Sequence, residues 1–199
     1  MLDIINSILD LSKIESGNLE LESVPFSFSQ SIETACEIMS FRSAKKNLEL
    51  LNDIAEDIPD WLIGDPTRLR QIIINLIGNA VKFTNDGEIK VKSQLVSKEN
   101  QHVELKISVQ DTGTGIPDDK LDQIFESFSQ ADTTITRKYG GTGLGLTISK
   151  QLVKMMDGEI HVESEIDQGS IFYFNAIFEK ADKIEAREQV DISLFKGKR

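Results

Sequence analysis

The chain has 199 residues, of which 33 are acidic and 22 basic, giving a formal net charge of -11. With 39% apolar and 28% charged residues it suits one globular core with appendages and excludes fibrous classes, and the acidic balance, with no local basic patch against it, argues against nucleic acid or an anionic membrane surface as partner. One cysteine, Cys36, and two distant histidines, His102 and His161, exclude an internal disulfide or a zinc site and fit a reducing compartment. No apolar run approaches the ~20 residues of a membrane span, so a cytoplasmic fragment is expected, with any inner-membrane anchor of the full-length protein lying upstream.

In chain order, Leu2, Ile5, Leu9, Leu11 and Ile14 recur at helical spacing, and the pattern stops near Gly17 and Asn18. This is an amphipathic helix without a cap, as the end of a longer helix would be, and its apolar stripe calls for a partner. The other reading is a short surface helix docked on its own domain. An extended stretch follows over 19–28, then a helix over 29–46 with Ser29 or Ser31 as cap and a strand over 48–54. Asp65 and Pro66 mark a helix start, because the carboxylate accepts orphan amide hydrogens and proline's fixed φ suits the first helical position. From there Leu69, Ile72, Ile73, Leu76, Ile77, Ala80 and Phe83 trace one broad apolar face. Asn85, Asp86 and Gly87 end that helix, and alternating runs over 88–96 and 103–110 predict an antiparallel hairpin. Periodicity is lost from Asp111 to about Gly141 and returns as a helix from Thr142 or Gly143 to Met156. Strands over 159–165 and 170–178 close the domain, and a highly charged tail reads as solvated linker. A loop of some thirty residues inside a compact domain tends to be functional.

Three clusters carry chemistry. Asn75, Asn79 and Lys82 project from neighbouring positions on the 65–83 helix. Carboxamides amid apolar helix residues need their hydrogen bonds met. They are met either by nearby backbone, or by use as an oxygen ligand for a hard cation beside a cationic phosphate contact. Second, Asp111-Thr112-Gly113-Thr114-Gly115-Ile116 sits at a strand end, where glycines allow close backbone approach and a carboxylate can accept from an exocyclic amine. Third, Gly140-Gly141-Thr142-Gly143-Leu144-Gly145-Leu146 leads into a helix and offers unpaired amides to an anion. It lacks the lysine and hydroxyl residue of a Walker motif. Arg137 and Lys138 add positive charge just upstream.

In this order, N-L-I-G-N-A-V-K-F-T, D-T-G-T-G-I, F-E-S-F and G-G-T-G-L-G-L resemble the four boxes of the ATP-binding domain of sensor histidine kinases, within the superfamily shared with gyrase and MutL. The run Ala131 to Met156 is most similar to hybrid kinases. The resemblance implies an α+β fold: a two-layer sandwich with a mixed, mostly antiparallel sheet packed on helices, the Bergerat fold. It implies ATP and Mg2+ as cofactors, with Asn79 coordinating the metal, Asn75 completing the polar face, Lys82 on phosphate and Phe83 against the nucleotide. Asp111 would accept from the adenine amine, Gly113, Gly115 and Ile116 would bend past the base, and 125–139, from Phe125, would form a lid. Gly141, Gly143 and Gly145, with Thr142 and Leu144, would cradle the phosphates, and Ser170 would support Asp111.

The resemblance further divides the chain into 1–18, the end of the second helix of a dimerisation and phosphotransfer hairpin; 19–180, the catalytic domain; and 181–199, a linker toward a receiver domain. The implied partners are ATP, the chain's own or a partner subunit's phosphoacceptor hairpin, and a receiver domain or response regulator; the full-length protein would be a homodimer. Neither histidine sits on a helix beside an acidic residue as the family acceptor does. Two departures affect turns: Asp157-Gly158 stands where the family commonly has two glycines, and Asp167-Gln168-Gly169 has only one of the glycines usual in the last box. Rival readings are another ATPase or serine-directed kinase of the superfamily, and a non-catalytic interaction module.

Overall fold

Alternation of apolar and polar residues along the strands fixes which face of the sheet is covered. In the computed structural model, which describes residues 2–121, 123–126 and 143–181, the elements run α1 (Leu2–Glu15), β1 (Val24–Ser27), α2 (Phe28–Ala44), β2 (Glu49–Ile54), β3 (Trp61–Gly64), α3 (Pro66–Phe83), β4 (Glu88–Glu99), β5 (His102–Asp111), α4 (Asp118–Leu121), α5 (Gly145–Met155), β6 (Ile160–Glu165) and β7 (Gly169–Lys180). The strands form one sheet in the order β1-β3-β7-β5-β4-β2, with β6 pairing the other half of the β7 edge that β3 occupies. Among the described residues only β2 and β4 run parallel; the remaining pairings are antiparallel. Ile89 and Val91 of β4, Val103, Leu105, Ile107 and Val109 of β5, and Phe172, Phe174 and Ala176 of β7 all face the helices and are buried. The chain is thus a mixed, mostly antiparallel sheet with helices on one face.

The start of α3 follows the sequence closely: the Asp65 carboxylate accepts from the amides of Thr67 (3.0 Å) and Arg68 (2.9 Å), and Pro66 opens the helix. Its other oxygen accepts from the Glu22 amide at 3.1 Å, tying down the segment that leaves α1. At the opposite end, the Lys46 ammonium donates to the carbonyls of Val81 (2.7 Å), Lys82 (3.0 Å) and Thr84 (3.0 Å). A cation there satisfies orphan carbonyls and complements the negative end of the helix dipole.

Several expectations are corrected. The cap of α2 is Ser27 rather than Ser29 or Ser31, its hydroxyl accepting from the Gln30 amide, so the helix starts at Phe28. Helix α5 starts at Gly145, because Gly143 adopts φ +70°, outside helical space, and the buried Leu144 occupies the cap position. Strand β3 was not foreseen, and neither was α4. The apolar stripe of α1 divides: Leu11 is buried and Ile14 packs on the core, while Ile5 and Leu9 are exposed. Asp157 and Asp167, in the two departing turns, take left-handed φ values of 54° and 60°, which aspartate tolerates better than most residues. Among the described residues no helix is long and apolar enough to cross a membrane.

Replacing Lys46 by alanine strips three carbonyls of a charged donor. It is expected to lower the unfolding free energy by about 1.5–3 kcal/mol, measurable by urea denaturation with an unchanged m-value.

Candidate functional site

Helix α3 buries Leu69, Ile72, Ile73, Leu76 and Ile77 completely, and this fixes which residues its other face presents. Asn75, Asn79, Lys82 and Phe83 stand at i, i+4, i+7 and i+8 and share that face; Phe83, expected at the end of the apolar face, is partly exposed instead. At its N-terminal part the Asn75 carboxamide donates to the buried Ser149 hydroxyl at 2.9 Å. There Gly145 comes so close that a Cβ would collide with the Asn75 side chain. The Asn75 carboxamide is thus a polar contact between α3 and α5, a use the sequence did not suggest, and no motif had drawn attention to Ser149. At its C-terminal part the Phe83 carbonyl accepts from the Thr114 amide at 3.3 Å. A Cβ on Gly113 would lie 2.7 Å from that carbonyl oxygen. One helix face therefore touches the start of α5 at one end and the first glycine turn at the other, with Asn79 between.

A cleft of about 660 Å³ opens along the α5 end, lined by Asn75, Gly78, Asn79, Gly145, Ile148 and Ser149. Asp10, Arg42 and Arg70 also border it, on α1, α2 and α3. Asp111 is not on its wall. Asp111 is 5% exposed, and its carboxylate accepts the Gly113 amide at 2.8 Å, with a second bond from the Ser170 amide. Burial holds its pKa above the ordinary aspartate value despite these donors. Lys82 is pulled below the usual lysine value by desolvation, and its ammonium lies 4.9 Å from the centre of the partly exposed Phe83 ring.

Phe125 packs edge-on to Phe172 with ring centres 6.4 Å apart, and its carbonyl accepts from the Thr147 hydroxyl of α5 at 3.2 Å. Ile116 packs against the core, its amide donating to Ser164. Ser170 pairs in register with Asp111. Of the expected site residues, Arg137, Lys138, Gly141 and Thr142 lie outside the described residues, as does the rest of the 125–139 segment beyond Glu126.

Two further polar groups escaped the motifs. Asp10 accepts from the Gln71 amide group at 2.9 Å and pairs with Arg68 at 3.4 Å, fastening α1 to α3. Ser164 links the first glycine turn to the β6–β7 turn. Both connect segments far apart in sequence, so no local spacing announces them.

Comparison with known proteins bears on this arrangement. The family described as "Histidine kinase-, DNA gyrase B-, and HSP90-like ATPase" matches residues 64–180, which takes in α3, both glycine-bearing turns and β7. The chain belongs to this ATPase family. It is 44% identical over 175 residues to the signal transduction histidine-protein kinase BarA of Escherichia coli, covering 88% of this chain and 19% of BarA. It is 46% identical over 173 residues to the hybrid signal transduction histidine kinase L of Dictyostelium discoideum, covering 86% of this chain and 10% of that protein. The chain thus spans a fifth or less of these relatives. Among solved structures, full-length ShkA in complex with AMPPNP is similar with a TM-score of 0.77 and 32% identity, covering 90% of this chain and 36% of that one. The Bergerat-type α+β fold expected from the boxes is the fold observed.

The raised pKa of Asp111 has a testable sign. Its protonated form is favoured in the folded state, so the native protein holds the proton to higher pH than the unfolded chain, and stability falls as pH rises through the folded pKa. Asp111→Asn keeps an acceptor for both amides and removes the buried charge. Its melting temperature relative to the parent is expected to be higher at pH 7, with that advantage vanishing below pH ~3.8, the ordinary aspartate value; calorimetric melts at both pH values check this.

Proposed function

We propose that the chain binds Mg-ATP along the polar face of α3 and is the ATP-binding catalytic part of a sensor histidine kinase, delivering the γ-phosphate to a histidine on a helical hairpin. The observation that carries this reading is the single α3 face whose two ends meet the start of α5 and the Gly113 turn. In this reading Asp111 accepts from the adenine amine, Gly113, Gly115 and Ile116 pass the base, and Phe83 lies against the nucleotide. Lys82 neutralises phosphate, and Gly141, Gly143, Leu144 and Gly145 present amides to the phosphate chain, with Arg137, Lys138 and Thr142 nearby. The 125–139 segment, of which only Phe125 and Glu126 are described, is assigned as the lid by likeness to the family.

Among the described residues no group of three or more acidic, histidine or cysteine side chains could hold a metal alone. A hard cation would fit here only through the Asn79 amide oxygen together with oxygens of the nucleotide and water. When bound, magnesium supplies charge neutralisation of the transferred phosphoryl group. The protein's part is positioning and fixed positive charge: Lys82, the α5 N-terminus and the glycine-turn amides.

By likeness to BarA and the hybrid kinase, we assign 1–18 to the end of a dimerisation and phosphotransfer hairpin, 19–180 to the catalytic domain and 181–199 to a linker toward a receiver domain. The partners are then that hairpin, from the same or a partner subunit of a homodimer, and a receiver domain or response regulator. The acceptor is not in this sequence: His102 opens β5 and His161 lies in β6, stacked on Tyr173 at 5.2 Å.

Isothermal titration with a non-hydrolysable ATP analogue is expected to show binding that needs magnesium, no heat with magnesium alone, and at least tenfold weaker affinity in Asn79→Ala. Binding indifferent to both Asn79 and magnesium would overturn the reading. Incubation of the chain with γ-labelled ATP is expected to leave no acid-labile phosphate on it; stable label on either histidine would contradict the proposed acceptor.

A further inference from the structure

We infer that Ser164, which lies outside the three motif clusters, is a positioning residue for the purine end of the site, and that through it the β6–β7 turn sets a preference for adenine. This rests on the nucleotide-site reading above. Residues 113–116 leave β5 before α4 begins and belong to no strand or helix. They are held from behind by the hairpin of β6 and β7. The Asp167 amide donates to the Thr114 carbonyl at 2.9 Å, and Gly115, at φ +67°, lies against the Glu165 carbonyl so closely that a Cβ would collide with it.

Ser164 is the hub of this clasp. Its hydroxyl oxygen accepts from the Ile116 amide at 2.8 Å and lies 2.9 Å from both the Gly169 carbonyl and the Ser170 hydroxyl. Ser170 is the residue whose amide supports the Asp111 carboxylate and whose register position is opposite Asp111. One hydroxyl thus joins the turn that carries Gly113 and Gly115 to the strand residue that orients the adenine-accepting carboxylate. At the other end of α3 the phosphate-side contacts, Asn75 with Ser149 and Gly145, share no atom with this network.

Removing the hydroxyl leaves the Ile116 amide without its acceptor and the Ser170 hydroxyl without this partner, which loosens the turn beside the carboxylate and so its alignment to the purine's exocyclic amine. A site built to accept from an amine discriminates against an analogue lacking it. The effect therefore falls on ADP more than on inosine diphosphate, which has no 6-amino group.

The test is competition binding of ADP and inosine diphosphate, with magnesium, to the parent chain, Ser164→Ala and Ser164→Thr, alongside their melting temperatures. Ser164→Ala is expected to weaken ADP about tenfold and to narrow the ADP preference at least threefold, while Ser164→Thr, which keeps the hydroxyl, restores both. Unchanged ADP affinity in Ser164→Ala overturns the inference. An equal loss for both nucleotides also overturns it, since a merely structural role would weaken them together. Failure of the parent chain to bind ADP would instead strike down the nucleotide site itself, and this inference with it.

Discussion

The rotational setting of α3 is the constraint from which the rest follows. Five of its aliphatic side chains are completely buried, each worth roughly 1.5–3 kcal/mol. Turning the helix far enough to bury its asparagines would forfeit on the order of 10 kcal/mol, against about 1 kcal/mol for any hydrogen bond gained. The polar face is thus not a choice made by the polar residues. It is what remains when the apolar face has been satisfied, and the chain places there Asn75, Asn79, Lys82 and Phe83.

Everything packed on that face is then positioned by contact with it. Gly145 and Ser149 meet Asn75, so the N-terminus of α5, the positive end of its dipole, borders the same cleft. Gly113 and Thr114 meet the Phe83 carbonyl, so the end of β5 and Asp111 arrive at the other end. Lys46 secures the last carbonyls of the same helix. Helix α1 adds a polar clamp, Asp10 on Arg68 and Gln71, at the cleft's outer border. Its Ile5, Ile8 and Leu9 are exposed.

What the sequence revealed was local. The Asp65-Pro66 start and the apolar spacing of 69–81 specify α3 almost to the residue, because capping and periodicity act within a few turns. The β4–β5 hairpin was legible for the same reason. Strand β3 was not: its four residues sit between Pro59-Asp60 and Asp65-Pro66, too short to show alternation and flanked by turn formers. Nor was the parallel pairing of β2 with β4, whose register depends on the sheet as a whole. The ordered motifs brought out Asn79, Asp111 and the glycines. Ser149, Ser164 and Asp10 stayed hidden, since a serine or aspartate gains its meaning only from a partner scores of residues away.

The central claim is that one helix face joins the two ends of a single nucleotide site. Amide NMR of the chain titrated with Mg-ADP tests it most directly, following the Gly113 and Gly145 backbone signals and the Asn79 side-chain amide together. The account predicts that all three move along one binding curve with one dissociation constant. Signals that follow separate curves, or a Gly113 signal that stays still while Gly145 saturates, would contradict it.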